Sequence, residues 1–536
     1  MRRVLLSLAV LAIMSTYVYS QTIIYRSQLN GNNISAYFQN TGIFNQNTTS
    51  GTAAGFEWPK SSGRFAIFTT GLSIGARINN QYAQSMSSYK GEFTTGYTQG
   101  GVAFTNANFK IYKISRGDNS GNNPDYANWY LMIPYGAPYI DVNNNRQYDP
   151  GVDSIGIRNA SQVIFMCLTD GFSETHIPGE GFGGGVTSPL LNSQIAYTSW
   201  CYDKIDLKDM QFMKWEIINK GLNPWNSTYL SLVSDPDLGD ANDDYIGCDT
   251  SKKLGYCYNA DNFDGTGNPP SYGAAPPAVG TILFKTPKGM TSFNFFTNTG
   301  SAPPPCESDP NGEPVPAYLL MKGLKKDSSN FMNPMVTPAV PTKFVYTGDP
   351  ETLTGWTEFH GSIQNCGGNT GTRVNVNPAG DRRYVMSSGA ENYTVNPNDT
   401  IRIVGSQLIA RGSSNRNSVT LLKNYANTAW AVYNSGFTVG VSKISSNVPT
   451  VFSLYQNYPN PFNPTTNIKF DVAKYSNTEI SVFDVMGRKI GTLVNQKLSP
   501  GSYEVEWNAS KYSSGIYYIR MQTDNFIETQ KALLIK

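Results

Sequence analysis

The sequence predicts a mainly β, multidomain protein: a β-sandwich passenger followed by a smaller C-terminal β-sandwich of immunoglobulin-like type. Three observations carry this prediction. Short apolar runs with period-two alternation recur between turn clusters along most of the 536 residues. Aromatics make up 12% and charged residues only 15%, with 50 Gly and 31 Pro, a balance that favours strands and turns over helices. Residues 451–536 hold six strand-like runs at regular spacing, the pattern of a small sandwich.

Residues 1–20 read as a secretory signal peptide. Arg2 and Arg3 form the basic start, Val4–Met14 is an apolar run too short to span a bilayer, and Val18 and Ser20 suit a cleavage site. Without Arg2 and Arg3, the 41 Lys and Arg fall to match the 39 Asp and Glu. A formally neutral mature chain gives no electrostatic case for nucleic acid or an anionic membrane. No other stretch predicts a transmembrane segment. The six cysteines (Cys167, Cys201, Cys248, Cys257, Cys306 and Cys366) sit in no CxxC pair. Export makes disulfides plausible, and Cys248 with Cys257 is one candidate staple across a hairpin; the connectivity stays open.

The passenger divides by pattern into three β-rich stretches, 21–199, 200–300 and 301–441. In the first, Phe65–Thr69 alternates before Gly71 and Gly75 punctuate it, and "QVIFMCL" (Gln162–Leu168) is an apolar run of strand length expected to be buried on both faces. In the second, "MQFMKWEIIN" (Met210–Asn219) alternates and "STYLSLVS" (Ser227–Ser234) reads as a strand. "GNPPSYGAAPPAVG" and "SAPPPCESDPNGEPVP" are expected to be surface loops, because Pro cannot join a sheet interior. One helix is predicted over Asn417–Phe437, where Val419, Leu422, Tyr425, Ala426, Ala429 and Tyr433 recur at helical steps and Gly436 stops it. The polar stretch 442–450 reads as a linker.

The last stretch opens with "YPNPFNP". Pro459, Pro461 and Pro464 bias Tyr458, Asn460 and Asn463 to extended backbone, predicting a stiff strap anchored by Tyr458 and Phe462. Strands follow at "NIKFDV", "TEISVFDV", "RKIGTLV", "GSYEVEWN", "GIYYIRMQT" and "TQKALLIK", broken at Gly487, Pro500–Gly501 and Ser513–Gly515. This segment, with its strap, its "DVMGR" turn (Asp484–Arg488), its "SSGIYYIRM" and its terminal "KALLIK" ending at Lys536, resembles the type A sorting domain of the type IX secretion system. The resemblance implies passage of the folded protein across the outer membrane of a Bacteroidota-like bacterium. It also implies the secretion machinery and its sorting protease as partners, and release or attachment to surface polysaccharide. Within it, Tyr458 to Pro464, Gly487, Arg488, Gly515 and Lys536 are the sorting-motif residues. The passenger blocks "GFEWPKSSGRFAIFTTGLSIGA", "SDPDLGDANDDYIGCDTSKKLGYCYN" and "PNDTIRIVGSQLIARG" resemble large uncharacterised surface proteins of Bacteroidota- and Ignavibacteria-like bacteria that carry the same domain.

Two acidic loops are candidate ion sites. Asp141, Asn143, Asn145 and Asp149 occupy positions 1, 3, 5 and 9 of a tight loop, with Asp153 beyond, which is how oxygen ligands converge on calcium. Arg146 stands where an EF-hand has Gly, and Val152 where it has its bidentate Glu. The alternative is an Asn-rich turn that caps its own backbone. The second loop carries Asp235, Asp237, Asp240, Asp243, Asp244 and Asp249, with no Lys or Arg between Lys220 and Lys252. Either a cation or solvent screens it.

Enzyme motifs find little support. The two histidines are His176 and His360; there is no HExxH and no GxSxG, and "GEGFGGG" (Gly179–Gly185) lacks the Lys-Ser/Thr of a phosphate loop. Trp129, Tyr130, Tyr135 and Tyr139 lie beside the calcium-like loop, either as core or as a binding surface. The expectation is a secreted or cell-surface structural or adhesive protein without enzymatic activity, stiffened by Ca2+. The alternative is a secreted hydrolase of polysaccharide or protein, which would show paired carboxylates in a cleft or a histidine beside a nucleophile. A filament subunit would show unpaired strand edges.

Overall fold

The computed structural model describes residues 24–47, 53–143, 145–176, 179, 181–182, 188–369, 371–437, 441–445, 449–509 and 512–536. The expected signal peptide, and most of the glycine-rich segment at 179–185, lie outside the described residues.

The passenger is built on two large antiparallel sheets. The first runs Ser292–Thr297, Arg382–Gly389, Asn226–Asp235, Thr69–Ile78 and on through the N-terminal strands. The second runs Gln162–Thr169, Ser193–Cys201, Met210–Asn219, Thr400–Ala410, Ala278–Lys285, Leu254–Asn259 and Asp244–Asp249. The expected stretches 21–199, 200–300 and 301–441 therefore have no large sheets of their own. Strand pairing joins Met210–Ile218 to Thr400–Leu408 in unbroken register, and Tyr229–Ser234 to both Gly75–Thr70 and Gly389–Tyr384. Sequence pattern marks strands but not their partners, and here the partners lie far apart in the chain.

Alternation decides which side chain faces which layer. In Met210–Asn219, Met213, Trp215 and Ile217 enter the core between the sheets, whereas Met210 and Phe212 enter a second core on the far face. The apolar run Gln162–Thr169 is buried throughout, with Ile164, Met166 and Leu168 facing one core and Val163, Phe165 and Cys167 the other. The far core is covered by the helix Asn415–Asn434, which Ser414 caps by accepting from Asn417 N at 3.1 Å. Val419, Leu422, Ala426 and Ala429 form its buried stripe, and Tyr433 stacks on Phe284 at 4.9 Å. Gly436, at φ +66°, ends the helix as expected. A second helix, Pro314–Met321, covers part of the first sheet and was not legible in a stretch expected to be loop.

Gly71 and Gly75 do not break their strand, which runs unbroken from Thr69 to Ile78. A side chain at Gly71 would meet the Ser87 carbonyl oxygen, its Cβ only 1.2 Å away, and one at Gly75 would press on Tyr318 and Met321. These glycines mark close approach rather than a turn.

The proline-rich stretch around Cys306 is not wholly surface. Cys306, Glu307 and Asp309 are buried there. Cys306 bonds to Cys366, 60 residues on, a closure that in the chain-entropy model stabilises by about 4 kcal/mol. The candidate Cys248–Cys257 staple does not form; both thiols are free and buried. Cys257 pairs with Ile246 and Cys248 with Gly255, so the two cysteines sit diagonally across the hairpin instead of opposite one another.

The C-terminal sandwich has two four-stranded sheets. All six expected strands are present, from Thr465–Val472 to Ile527–Leu534, and their inward residues form a separate core. Two more strands complete it, Ser453–Leu454 and Val441–Ser445. The latter pairs with the strand Gly501–Asn508 over Ser502–Val505, so the stretch expected to begin the linker belongs to this sheet.

Candidate cation loops and the export domain

The calcium-like loop closes a short hairpin in which Tyr139 pairs with Ile155 and Ile140 with Ser154. Its side chains converge. Asp141 accepts from the backbone N–H groups of Asn145 at 3.1 Å and Arg146 at 2.8 Å. Asn143 and Asn145 both donate their amides to Asp149 Oδ2, at 2.7 and 2.6 Å. Asp153 accepts from Val142 N at 2.8 Å and Asp149 N at 2.9 Å, closing the loop one residue later than an EF-hand would. Arg146 adopts φ +64°, the left-handed conformation for which an EF-hand uses Gly. The substitution therefore leaves the backbone turn in place. The loop thus caps its own backbone, as the alternative reading expects, while its carboxylate and amide oxygens are of the kind that suits a hard cation.

The second acidic loop divides into groups with different work. Asp249 caps its own turn, accepting from Lys252 N at 3.1 Å. Asp240 does likewise for Asn242 N at 3.1 Å. Asp243 accepts from Gly265 N at 3.0 Å and from the Asn259 amide. Burial first, then Asp264 and Asp240, push its carboxyl up to about 6 against the opposing pull of these bonds. Asp244 is wholly buried, accepts from Leu238 N at 3.0 Å, and is raised by burial. Asp235 and Asp237 turn away from these, towards Asp381.

That last group has partners that no local pattern signals. Arg383 lies 3.5 Å from Asp235, 3.4 Å from Asp309 and 3.6 Å from Asp381. Its guanidinium also covers the Tyr89 ring at 5.0 Å, and the Tyr89 hydroxyl donates to Asp235. Only the pairing of Ser234 with Tyr384 brings Asp235 beside Arg383.

The two histidines lie in different surroundings. His176 is 3% exposed, with Nε2 3.0 Å from the Asp170 carbonyl and Nδ1 3.6 Å from Glu92. Asp170 accepts from Leu191 N, from Ser193 N and hydroxyl, and from the Ser85 hydroxyl, all buried. His360 closes a capping box with Thr357. Of the four aromatics beside the loop, Trp129 is core: it is wholly buried and donates to the Pro138 carbonyl at 3.0 Å. Tyr135 packs on Phe109, and Tyr130 is exposed. Tyr139 and Asp141 line a hollow of about 350 Å³ with Arg158, Lys214 and Phe437.

In the C-terminal sandwich the prolines shape a clasp. Tyr458 exchanges backbone bonds with Asn467 in one sheet, both 2.9 Å, and Phe462 bonds Leu533 and Ile535 at the edge of the other, both 3.0 Å. Asn460 accepts from Leu533 N at 2.9 Å and donates to the Lys531 carbonyl at 3.0 Å. Pro464 accepts from Ala509 N at 2.8 Å. Phe462 is buried and packs against Trp507, the rings tilted at 50° with centroids 5.2 Å apart. Tyr458, however, is 81% exposed: its backbone anchors the clasp and its ring does not. The peptide bonds before Pro459 and Pro461 are cis. Pro459, Pro461 and Asn463 face outward. Asp484 organises its turn by accepting from the N–H of Met486 and Arg488, with Gly487 at φ +73° and Arg488 paired back at 2.8 Å. Gly515 opens the strand that pairs with the last one, and Lys536 N donates to Ser514 at 2.9 Å.

Residues 456–536 match the family model of the secretion system C-terminal sorting domain. The chain is therefore a type IX secretion sorting-domain-containing protein. That domain indicates export across the outer membrane, to the cell surface or the medium. No helix among the described residues is long and apolar enough to cross a membrane. No curated protein matches the chain. Among solved structures, one titled a polysaccharide lyase is similar at TM-score 0.16 and 8% identity, over 87% of this chain and 46% of that one. The chain thus spans less than half of the lyase's length, and a likeness this remote carries no argument.

Proposed function

We propose that the protein is a secreted or cell-surface structural or adhesive protein without enzymatic activity, delivered by its C-terminal domain and stiffened by calcium at the Asp141–Asp153 loop. The observation that carries the reading is how the passenger uses the groups a hydrolase would need. His176 Nε2 is engaged by the Asp170 carbonyl, Glu92 by Met86 N and the Asp170 carboxylate by Ser193, all buried, and His360 is engaged in a turn. A catalytic base has to reach substrate, and a ring 3% exposed in a packed core does not. The contact surface in this reading is the hollow beside the loop, where Tyr139, Arg158 and Lys214 suit a sugar or an acidic polymer. Attachment to surface polysaccharide and removal of the C-terminal domain by the sorting protease belong to the same proposal.

In the test, the purified chain is offered cell-surface polysaccharide with and without calcium. Retention that Arg158→Ala and Lys214→Ala weaken at least several-fold supports adhesion. Turnover of a polysaccharide or protein substrate by the same preparation would replace it with the hydrolase reading. For the loop, Asp141→Ala with Asp149→Ala removes its calcium-dependent rise in Tm; an unchanged rise eliminates that site.

A further inference from the structure

We propose that the protein joins Lys325 to Asn365 by an intramolecular amide bond, formed on itself with Glu307 as the acid–base group. All three side chains are buried, with Lys325 1% exposed and Glu307 and Asn365 5% each. Lys325 Nζ donates to Glu307 Oε1 at 2.6 Å, to Asn365 Oδ1 at 2.6 Å and to the Ile363 carbonyl at 3.0 Å. With a C=O bond of about 1.23 Å, the side-chain amide carbon lies within about 4 Å of the amine, close to the roughly 3–3.5 Å of a near-attack geometry. The cluster depends on neither the calcium-like loop nor the C-terminal sandwich.

Three chain segments bring the groups together. Lys325 follows the helix Pro314–Met321, and its neighbour Lys326 donates its N–H to the Cys306 carbonyl at 3.2 Å, beside Glu307. The Cys306–Cys366 disulfide joins the residues adjacent to Glu307 and Asn365. Asn365 Nδ2 donates to the Asn330 carbonyl at 3.0 Å, which turns the amide oxygen towards the amine. The Phe331 ring centroid lies 5.4 Å from the amine nitrogen and walls one side of the cluster. An ion pair buried this deeply returns little net stability over apolar packing. Stability alone is therefore a weak reason for setting Lys, Glu and Asn together here.

The chemistry closes with the groups present. A lysine amine is a nucleophile once an adjacent base has taken its proton, and Glu307 is that base by contact. Lys325 passes one proton to Glu307, and the electron pair freed on Nζ attacks Asn365 Cγ. The Nζ–Cγ bond forms, the Cγ–Nδ2 bond breaks, and the leaving nitrogen takes up a proton and departs as ammonia. Of the three protons on the amine, one stays on the new amide, one leaves in the ammonia and one remains on Glu307. Nothing is oxidised or reduced, and no co-reactant is needed. Exclusion of water from the buried cluster suppresses the competing hydrolysis of the Asn365 amide. The product ties the segment after the helix to the end of the strand Ser362–Gln364, 40 residues on from Lys325. It lies inside the loop that the disulfide closes, and it survives reduction of that disulfide.

A tryptic digest of the purified full chain, denatured and reduced, read by mass spectrometry, tests the bond. It should contain one branched peptide that joins the Lys325 segment to the Asn365 segment, lighter by one ammonia than the sum of its two parts and uncut after Lys325. Glu307→Gln and Asn365→Ala should each give the two segments as separate linear peptides, with Lys325 open to trypsin. On a reducing, denaturing gel the parent should run ahead of both variants. Two linear peptides from the parent itself, with Lys325 cut, would overturn the proposal whatever the variants do. Conversion of Asn365 to a carboxylate in the parent would overturn it too, because water and not Lys325 would be the nucleophile. A branched peptide that persists in Glu307→Gln would overturn the role given to Glu307.

Discussion

The passenger and the C-terminal sandwich are both antiparallel β structures, yet they are built on opposite plans. In the C-terminal sandwich each strand buries one face. Thr465–Val472 and Gly501–Asn508 alternate buried and open residues almost without exception. In the passenger the central strands bury both faces, as Gln162–Thr169 and Ser193–Cys201 do throughout. The ionic chemistry differs in the same way. Arg488 pairs with Asp484 at the surface, with 78% of its side chain exposed, whereas Arg383 meets its carboxylates at 4% exposure. A small sandwich with one wet face is specified locally, strand by strand. A two-core passenger depends on long-range pairing and on buried charges that only the finished sheet brings together.

The largest effect separates the two regions by destination. A chain lacking residues 451–536 should remain in the periplasm, and surface delivery of that chain in cell fractionation would show that sorting lies elsewhere. Next comes the contrast in ion pairs. Arg383→Met leaves Asp235, Asp309 and Asp381 without their guanidinium and should cost about 3–5 kcal/mol by denaturant unfolding, as breaking a buried pair does. Arg488→Met should cost far less, because solvent screens an exposed pair. Equal losses would refute the distinction. Within the clasp, Phe462→Ala should destabilise the C-terminal sandwich by about 3–5 kcal/mol while Tyr458→Ala stays within about 0.5 kcal/mol, read from its own unfolding transition.

The smallest effect is a pH slope in the passenger. The folded pKa of Asp243 is raised from 3.8 to about 6, chiefly by burial, so the folded state holds this proton more tightly than the unfolded chain. Its contribution is fully favourable below the unfolded pKa and is lost as pH rises through the folded value. With calcium chelated, passenger Tm should fall from about pH 4 to pH 6, and Asp243→Asn should flatten that slope. A slope unchanged in the variant would assign the pH response to other groups.

Legibility followed the same division. The six C-terminal strands and the turn at Gly487 were readable because alternation and turn chemistry are local. The helix Asn415–Asn434 was readable because its stripe has one period. The proline clasp was legible as a motif, but which of Tyr458 and Phe462 would be buried was not, since that depends on Trp507 in a distant strand. The Asp141 loop was legible as a pattern of oxygen donors, and Arg146 looked like a fault until the backbone showed it in the left-handed turn. Asp235 and Asp237 were visible as acids. Asp309, Asp381, Arg383 and Tyr89 were not, because nothing in their own neighbourhoods signals them. Cys306 and Cys366 likewise meet only through the fold.

The most direct measurement is the intact mass of the native protein together with its distribution between periplasm, cell surface and medium. The account predicts a passenger species outside the outer membrane, beginning near Gln21 and lacking the C-terminal sandwich. A full-length chain held inside the cell would contradict it, and would leave the C-terminal sandwich as a structural domain only.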